Sequence, residues 1–195
     1  LRFKSKSTNF SIIGFIVNTE NDLVPYELGE FPGRTFYQNA GKTHRKGIEI
    51  DFNHRINKNF STNIIYNYTN FKYDEYMLGD INLKGKFLPG IPTTFGNIEL
   101  KYKNSKKLNV VYSRNYRGNL YANDNNTDEI SSFWRDDISL SIPLKIRKND
   151  IDFFFGCNNI LDKLYSDNIR INAFGNRFYE AAPGRILFTG VKILI

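Results

Sequence analysis

The sequence predicts an all-β protein, an antiparallel meander of about eight strands that forms part or all of a transmembrane β-barrel. Three observations carry this. Apolar and polar residues alternate with period two over successive segments, as they do in strands with one apolar face. Short polar turns alternate with much longer loops, the plan of a barrel whose two ends meet different sides of a membrane. Aromatics are 15% of the 195 residues, with 17 Phe, 12 Tyr and 1 Trp, a composition suited to pleated surfaces.

The strands follow in order. Phe10 to Asn18 is apolar on both faces. From Ile48 to Arg55, Ile48, Ile50, Phe52 and His54 oppose Glu49, Asp51, Asn53 and Arg55. Thr62, Ile64, Tyr66 and Tyr68 make a third strand, and Gly96, Ile98, Leu100 and Tyr102 a fourth. Leu108, Val110 and Tyr112 then oppose Asn109, Ser113 and Asn115, and Ile138, Leu140, Ile142 and Leu144 oppose Asp137, Ser139 and Ser141. Ile151, Phe153 and Phe155 mark the seventh strand, and Leu187, Thr189, Val191, Ile193 and Ile195 the last.

Short turns are expected at Asn57–Asn59, Asn104–Lys107 and Arg147–Asp150, and long loops at Glu27–Gly33, Asp74–Lys86, Gly118–Ser132 and Asn158–Asn176. Ten aromatics cluster where strands would leave a membrane and are expected to form girdles: Phe36, Tyr37, Tyr66, Tyr68, Phe71, Tyr73, Tyr112, Tyr116, Phe133 and Trp134. The same rings could instead fill a soluble β-sandwich. On the barrel reading, Ile50, Tyr66, Val110, Leu140, Phe153 and Cys157 face lipid, while Glu49, Asp51 and Ser139 face inward.

Composition removes other classes. A single Cys157 excludes a disulfide framework and a thiolate metal site. An apolar fraction of 41% is too high for a disordered chain. The longest uncharged stretches, Ser7–Thr19 and Asn59–Phe71, are 13 residues, whereas a spanning helix needs about 20 apolar ones. A mean hydropathy of −0.46 does not argue against a barrel, because only every second strand residue meets lipid. No secretion-signal pattern opens the chain, which favours a fragment over a complete small barrel.

The 27 Lys and Arg exceed the 20 Asp and Glu by 27 − 20 = +7. The lysines are scattered through turns instead of following one groove, so no nucleic acid is expected, and a basic vestibule for anionic ligands fits better. No catalytic constellation, nucleophile elbow or phosphate loop occurs, and no cofactor is expected. Asp124, Asn126 and Asp128 have calcium-loop spacing, but Glu129 stands where Gly is required and Arg135 where the bidentate Glu belongs. His44 and His54 have no Cys nearby, so no metal site is expected. Gly47 relieves crowding or marks a bulge. Leu88–Pro92 and Asn158–Asp162 are turn chemistry.

Four segments resemble the C-terminal part of TonB-dependent outer-membrane receptors. They are Tyr37–Glu49, with its Asn39, Gly41, Gly47 and Glu49; Gly85–Pro92; Asn158–Asn172, containing Asn158-Asn159-Ile-Leu161-Asp162 and Tyr165; and Arg177–Arg185, containing Ala182-Pro183-Gly184-Arg185. Two positions depart from the family pattern. Residues 192–195 read Lys-Ile-Leu-Ile where family barrels end in an aromatic residue, and Ala181 stands where a Pro is usual.

The resemblance implies a fold and a function. Receptors of this family are plugged barrels of about 22 strands, so residues 1–195 would be the C-terminal third of the barrel domain, with the plug and the N-terminal strands absent. The chain would sit in the outer membrane and take part in active import of a siderophore-type iron complex or similar scarce nutrient. Implied partners are the TonB complex acting through the missing plug, the barrel-assembly machinery, outer-membrane lipid and lipopolysaccharide, and the iron chelate. Arg34, Arg117, Tyr121, Arg170 and Tyr179 are the candidate ligand contacts, by charge and stacking. Asn39, Thr43, Arg45, Glu49 and Asp51 are expected to line the lumen and face the plug. Competing readings are a complete eight-stranded barrel with a structural or adhesion role, and a soluble β-rich binding module.

Overall fold

The computed structural model describes residues 1–39, 41–105, 108–146 and 149–194. Nine strands form one antiparallel sheet whose spatial order follows the chain: β1 (Arg2–Lys4), β2 (Thr8–Glu20), β3 (Lys42–Arg55), β4 (Phe60–Glu75), β5 (Thr94–Lys103), β6 (Asn109–Arg117), β7 (Phe133–Ile146), β8 (Asn149–Asn158) and β9 (Ile186–Leu194). The alternation expected a strand fewer. The addition, β1, is 3 residues long and too short to display a period; it pairs with Asn9, Phe10 and Ser11. Among the described residues the sheet is open, with β1 and β9 at its two edges.

Strands β3 and β4 extend well beyond the segments that alternate. At 14 and 16 residues, and about 3.4 Å per residue, they exceed the roughly 30 Å apolar layer of a bilayer. Their far halves, Lys42–Lys46 and Asn70–Glu75, stand clear of that layer and so carry polar residues on the face that is apolar lower down. The turn after β3 is set by Asn57, whose side chain accepts the N–H groups of Asn59 at 2.8 Å and Phe60 at 3.0 Å. In the next two turns, Lys106, Lys107, Arg147 and Lys148 lie outside the described residues, as do Ala40 and Ile195.

Register fixes which side chains share a face. One cross-strand row runs Ile12, Ile50, Tyr66, Gly96, Tyr116, Trp134. Val110, Leu140 and Phe155 form another on the same face, where Phe153 pairs with Ile142 and Cys157 with Ile138. The opposite face carries Glu49, Asp51, Asn67, Asn97, Asn115, Asp137 and Ser139. The first row crosses β3 at mid-strand but meets β7 at its second residue. The strands are therefore staggered, as curvature into a barrel requires.

The girdle assignment needs correction. Tyr66, Tyr68, Tyr112, Tyr116 and Trp134 do share the apolar face, with Tyr116 and Trp134 in contact at 4.3 Å. Phe71, Tyr73 and Phe133 are on the opposite face, because they have the other strand parity. Phe36 and Tyr37 belong to a ribbon outside the sheet. A contact at the short-turn end, Phe60 against Tyr102 at 4.8 Å, supplies apolar-face rings that the clustering did not single out. One ion pair also breaks the pattern. Arg114 and Asp136 lie on the apolar face, joined at 2.7 and 3.1 Å, with the Tyr112 hydroxyl also donating to Asp136. They sit next to the Tyr116–Trp134 row, at the depth where the pair can neutralise itself beside polar surroundings.

Four long connections, 21–41, 76–93, 118–132 and 159–185, leave the same end of the sheet, and each folds on itself as a two-stranded ribbon. Apart from Tyr73, near the outer end of β4, the buried apolar core lies there and not on the sheet. Val24, Tyr73, Tyr76, Leu83 and Leu88 form one cluster, and Leu120, Ala122, Ile130, Ala173 and Phe178 the other.

Candidate functional site at the loop end

A buried carboxylate joins the four connections. Asp124 accepts hydrogen bonds from the Tyr73 hydroxyl at 2.6 Å, the Tyr76 hydroxyl at 3.4 Å and the Asn172 amide at 3.0 Å, while its own N–H donates to Asn172 Oδ1 at 3.0 Å. Asn172 also donates to the Pro25 carbonyl at 2.8 Å, and Gln38 donates to Tyr76. Burial pushes the Asp124 carboxyl above its ordinary range against the pull of these donors. It also raises the Tyr76 phenol to about 12, with Asp124 adding to the effect. The would-be calcium ligand is thus engaged by neutral protein donors.

A second clasp holds the first connection to the last. Arg170 Nη2 meets Glu27 Oε1 at 2.6 Å, and the Glu27 carboxylate also accepts the N–H groups of Phe174 at 3.3 Å and Gly33 at 3.4 Å. Burial would raise the Glu27 carboxyl, but the Phe174 N–H, Arg170 and the Gly33 N–H together hold it below its ordinary value. The motif at the end of β8 is a local turn. Asn159, at φ 53°, exchanges hydrogen bonds with Lys163 at 2.8 and 2.9 Å, and Asp162 accepts the Arg185 N–H at 2.8 Å.

On the polar face, where β6 and β7 meet the loops, charge and rings converge. The Arg117 guanidinium lies over Phe133 at 4.6 Å, and Phe133 stacks on Tyr165 at 4.3 Å. Arg135 donates to the Tyr165 hydroxyl at 3.2 Å and pairs with Asp137 at 3.0 Å. Arg117 donates to the carbonyls of Ser166 at 2.7 Å and Ser131 at 3.4 Å, and its buried Nε has no partner among the described residues. A ladder continues along the same face, from Asn97 to Asn115 at 2.8 Å and from Asn115 to Asp137 at 3.1 Å.

An open antiparallel meander with one apolar face, and with all its long loops at one end, has counterparts among known proteins. The family described as TonB dependent receptor-like, beta-barrel matches residues 1–160. This chain belongs to that family. A ferrioxamine receptor of Yersinia enterocolitica is 26% identical over 134 residues, which are 67% of this chain and 18% of that protein. The fold matches the unliganded ferric citrate transporter FecA with a TM-score of 0.80, at 20% identity over 99% of this chain and 30% of the transporter. It also matches the ferric yersiniabactin uptake receptor FyuA of Yersinia pestis, with a TM-score of 0.77, at 15% identity over 100% of this chain and 29% of that receptor. The chain thus spans under a third of the length of these relatives.

The chain is part of an outer-membrane barrel, and in such barrels the apolar face meets lipid and the long loops lie outside. Family and structural neighbours are transport receptors, not enzymes. The five residues expected to contact ligand each have a different immediate partner or exposure. Arg117 joins the cluster at the mouth of the polar face, Arg170 is held by Glu27, and Tyr121 stacks with Phe87 at 5.9 Å. Arg34 lies over Phe36 at 5.4 Å, and Tyr179 is 62% exposed.

Of the residues expected to line the lumen, Thr43, Arg45, Glu49 and Asp51 share the polar face of β3. Asn39 does not extend that strand. Gly41, at φ 72°, breaks the alternation, and the Asn39 amide donates to Asn21 at 3.0 Å. Thr43 and Arg45 both grip Asp22 at the start of the first long connection. Sequence reasoning missed Asp124, Asn172, Tyr165 and Arg135 as partners. In the sequence Asp124 and Arg135 stand out only against a calcium pattern, and the partners of Asp124 lie 48 to 51 residues away.

Proposed function

We propose that this chain is the outer-loop and wall portion of a receptor that actively imports an iron complex of siderophore type, or a similarly scarce nutrient, across the outer membrane. TonB supplies the energy through a plug contributed by another part of the receptor, and the ligand enters from the loop side. The observation that carries this reading is the cluster of Arg117, Phe133, Tyr165 and Arg135 at the luminal mouth. A desolvated guanidinium seated on an aromatic ring, whose hydrogen-bond partners among the described residues are two carbonyls, attracts an anionic chelate, and the neighbouring ring faces favour flat aromatic groups. The names of the relatives, which concern ferrioxamine, ferric citrate and ferric yersiniabactin, support the cargo class. Arg34, Tyr121 and Tyr179 are secondary contacts, and Arg170 acts through the Glu27 clasp. Glu49 and Asp51 face the plug.

The test is uptake of radiolabelled ferric siderophores by cells expressing the full-length receptor under iron limitation. Arg117→Ala should weaken uptake at low ligand concentration by about tenfold, the effect of one lost charge-assisted contact. Arg34→Ala and Tyr179→Ala should have smaller effects, with barrel assembly intact in all three. Unchanged uptake in all three, and also after removal of 118–132 and of 166–176, would refute a ligand site at this end.

A further inference from the structure

The net charge of +7 is not spread evenly over the chain. Residues 2–9, 52–63, 99–112, 143–152 and 191–194 are the short turns with the inner ends of their strands. They hold 13 of the 27 Lys and Arg, four of them outside the described residues, and 3 of the 20 Asp and Glu, so 13 − 3 = +10. The rest of the chain carries 14 − 17 = −3. Short turns of outer-membrane barrels lie on the periplasmic side, so the basic end is where cargo leaves. Register gives these cations one direction. Arg2, Lys4, Arg55, Lys103, Lys145 and Lys192 share strand parity with Asp51 or Ser139, on the lumen face. The apolar face of the same strand ends carries Phe52, Tyr102, Leu144 and Val191 and, among the described residues, no Lys or Arg. A collar of that parity serves the lumen.

We infer that this end of the lumen holds a second anion site, a basin in which Lys6, Arg55 and Lys101 take a negatively charged arm of the cargo as it leaves the barrel. The inference rests on the reading of the cargo as an anionic chelate. The basin has a volume of 240 Å³ and lies between the turn 5–7 and the ends of β3, β4 and β5, where Asn53, Ser61 and Asn63 add polar lining. Two hydrogen bonds join that turn to β3. The Arg55 N–H donates to the Ser7 carbonyl at 2.7 Å, and the Thr8 hydroxyl bonds the His54 ring at 2.9 Å. This junction sets Lys6 and Arg55 on the same basin. Nearby carboxylates do not cancel the charge. Lys101 is paired with Glu99 at 2.6 Å, and Asp51, the next lumen carboxylate along β3, accepts from the Asn53 amide at 2.6 Å. Lys6 and Arg55 have no carboxylate within ion-pair distance among the described residues. Two uncompensated cations beside hydroxyl and amide groups suit a carboxylate or phosphate. The volume is below the roughly 300 Å³ at which sites for whole drug-sized ligands begin, so the basin takes one arm and not the entire chelate. Because the rest of the chain is negative overall and this end strongly positive, the field draws an anion from the loop mouth toward the exit.

The test uses the full-length receptor carrying Cys157→Ser, in detergent micelles where both mouths meet solvent. A spin label at residue 111, which pairs with Lys101 on the lumen face, reports collision rates with anionic chromium oxalate and with a neutral nickel complex. The anion should be enriched about fivefold over the neutral reagent, and Lys6→Gln with Arg55→Gln should remove most of that enrichment. Lys192→Gln, on the same face but opposite Asp152 and outside the basin, should change it by less than about twofold. In cells, the double variant should leave equilibrium binding of a radiolabelled ferric siderophore to de-energised cells unchanged and slow its energised uptake about fivefold. Heat-modifiable gel mobility checks that each barrel is folded. No enrichment in the unsubstituted receptor overturns the site, since acidic groups elsewhere in the receptor would then already fill it. Unchanged uptake after the double substitution also overturns it. Absence of binding to de-energised cells would instead refute the loop-end reading, and the enrichment at residue 111 would still decide the basin.

Discussion

The strand wall and the loop cluster are stabilised in different ways. On the wall, large apolar residues such as Ile16, Leu100, Leu187 and Val191 are 46 to 76% exposed, so their burial must come from lipid and from neighbouring parts of the receptor. In the loop cluster, Tyr73, Leu83 and Ala122 are at most 1% exposed, and their burial is complete within this chain. The wall therefore depends on its solvent, and the loops depend on one another. Perturbing lipid contacts should weaken the wall and spare the loops, and perturbing the Asp124 hub should do the reverse.

The largest separation is expected from Leu140→Arg. A charge at the lipid-facing middle of β7 should cost about 2–4 kcal/mol, and Ser139→Arg, on the lumen side, much less. Reversible unfolding of the full-length receptor into lipid vesicles measures both. Asp124→Ala should act on the other region. It strands the Tyr73 and Tyr76 hydroxyls and the Asn172 amide, at about 2–3 kcal/mol of loop stability. Hydrogen exchange should rise in 76–93, 118–132 and 159–185 and stay unchanged in β5 to β8. Arg170→Ala is smaller, at about 1–2 kcal/mol, because its head is partly solvated although the Glu27 side chain is 7% exposed. It should loosen 21–41 and 166–181 and leave the hub closed.

The two loop carboxylates should respond to pH with opposite sign. Glu27 is held below its ordinary value of 4.5, so its stabilisation is present above that pH and is lost as pH falls through the lower folded value. Asp124 is raised above its ordinary value of 3.8, so its contribution is full below that pH and is lost as pH rises through the higher folded value. Acidification should open the Arg170 clasp while tightening the hub, and exchange measured segment by segment would show this.

The smallest effect concerns Cys157, on the lipid face at the last turn of β8. A membrane-impermeant maleimide should label it slowly on intact cells, since a water-borne reagent does not reach a thiol turned toward lipid. Rapid labelling would place it elsewhere.

The sequence showed the wall better than the loops for a physical reason. Lipid on one side and water on the other impose a period of two on Ile48–Arg55 and Ile138–Leu144. Where strands leave the lipid that constraint ends, and the clustering of rings alone puts Phe71, Tyr73 and Phe133 on the wrong face. Turn chemistry remained readable, because Asn57 and Asn159 bond within four residues of themselves. The Asp124 hub was not. Its partners are set by how four connections pack, and neither Tyr73 nor Asn172 carries a local mark of that contact.

The claim that one face of this sheet meets lipid and the other the lumen is tested most directly at two adjacent positions. Spin labels placed singly at residues 49 and 50 of a Cys157→Ser full-length receptor in vesicles report their collision rates with oxygen and with a water-soluble nickel complex. The label at 50 should favour oxygen and the label at 49 the nickel complex. Equal preferences, or the reverse order, would contradict the assignment of faces on which the barrel, its loop end and the ligand route all rest.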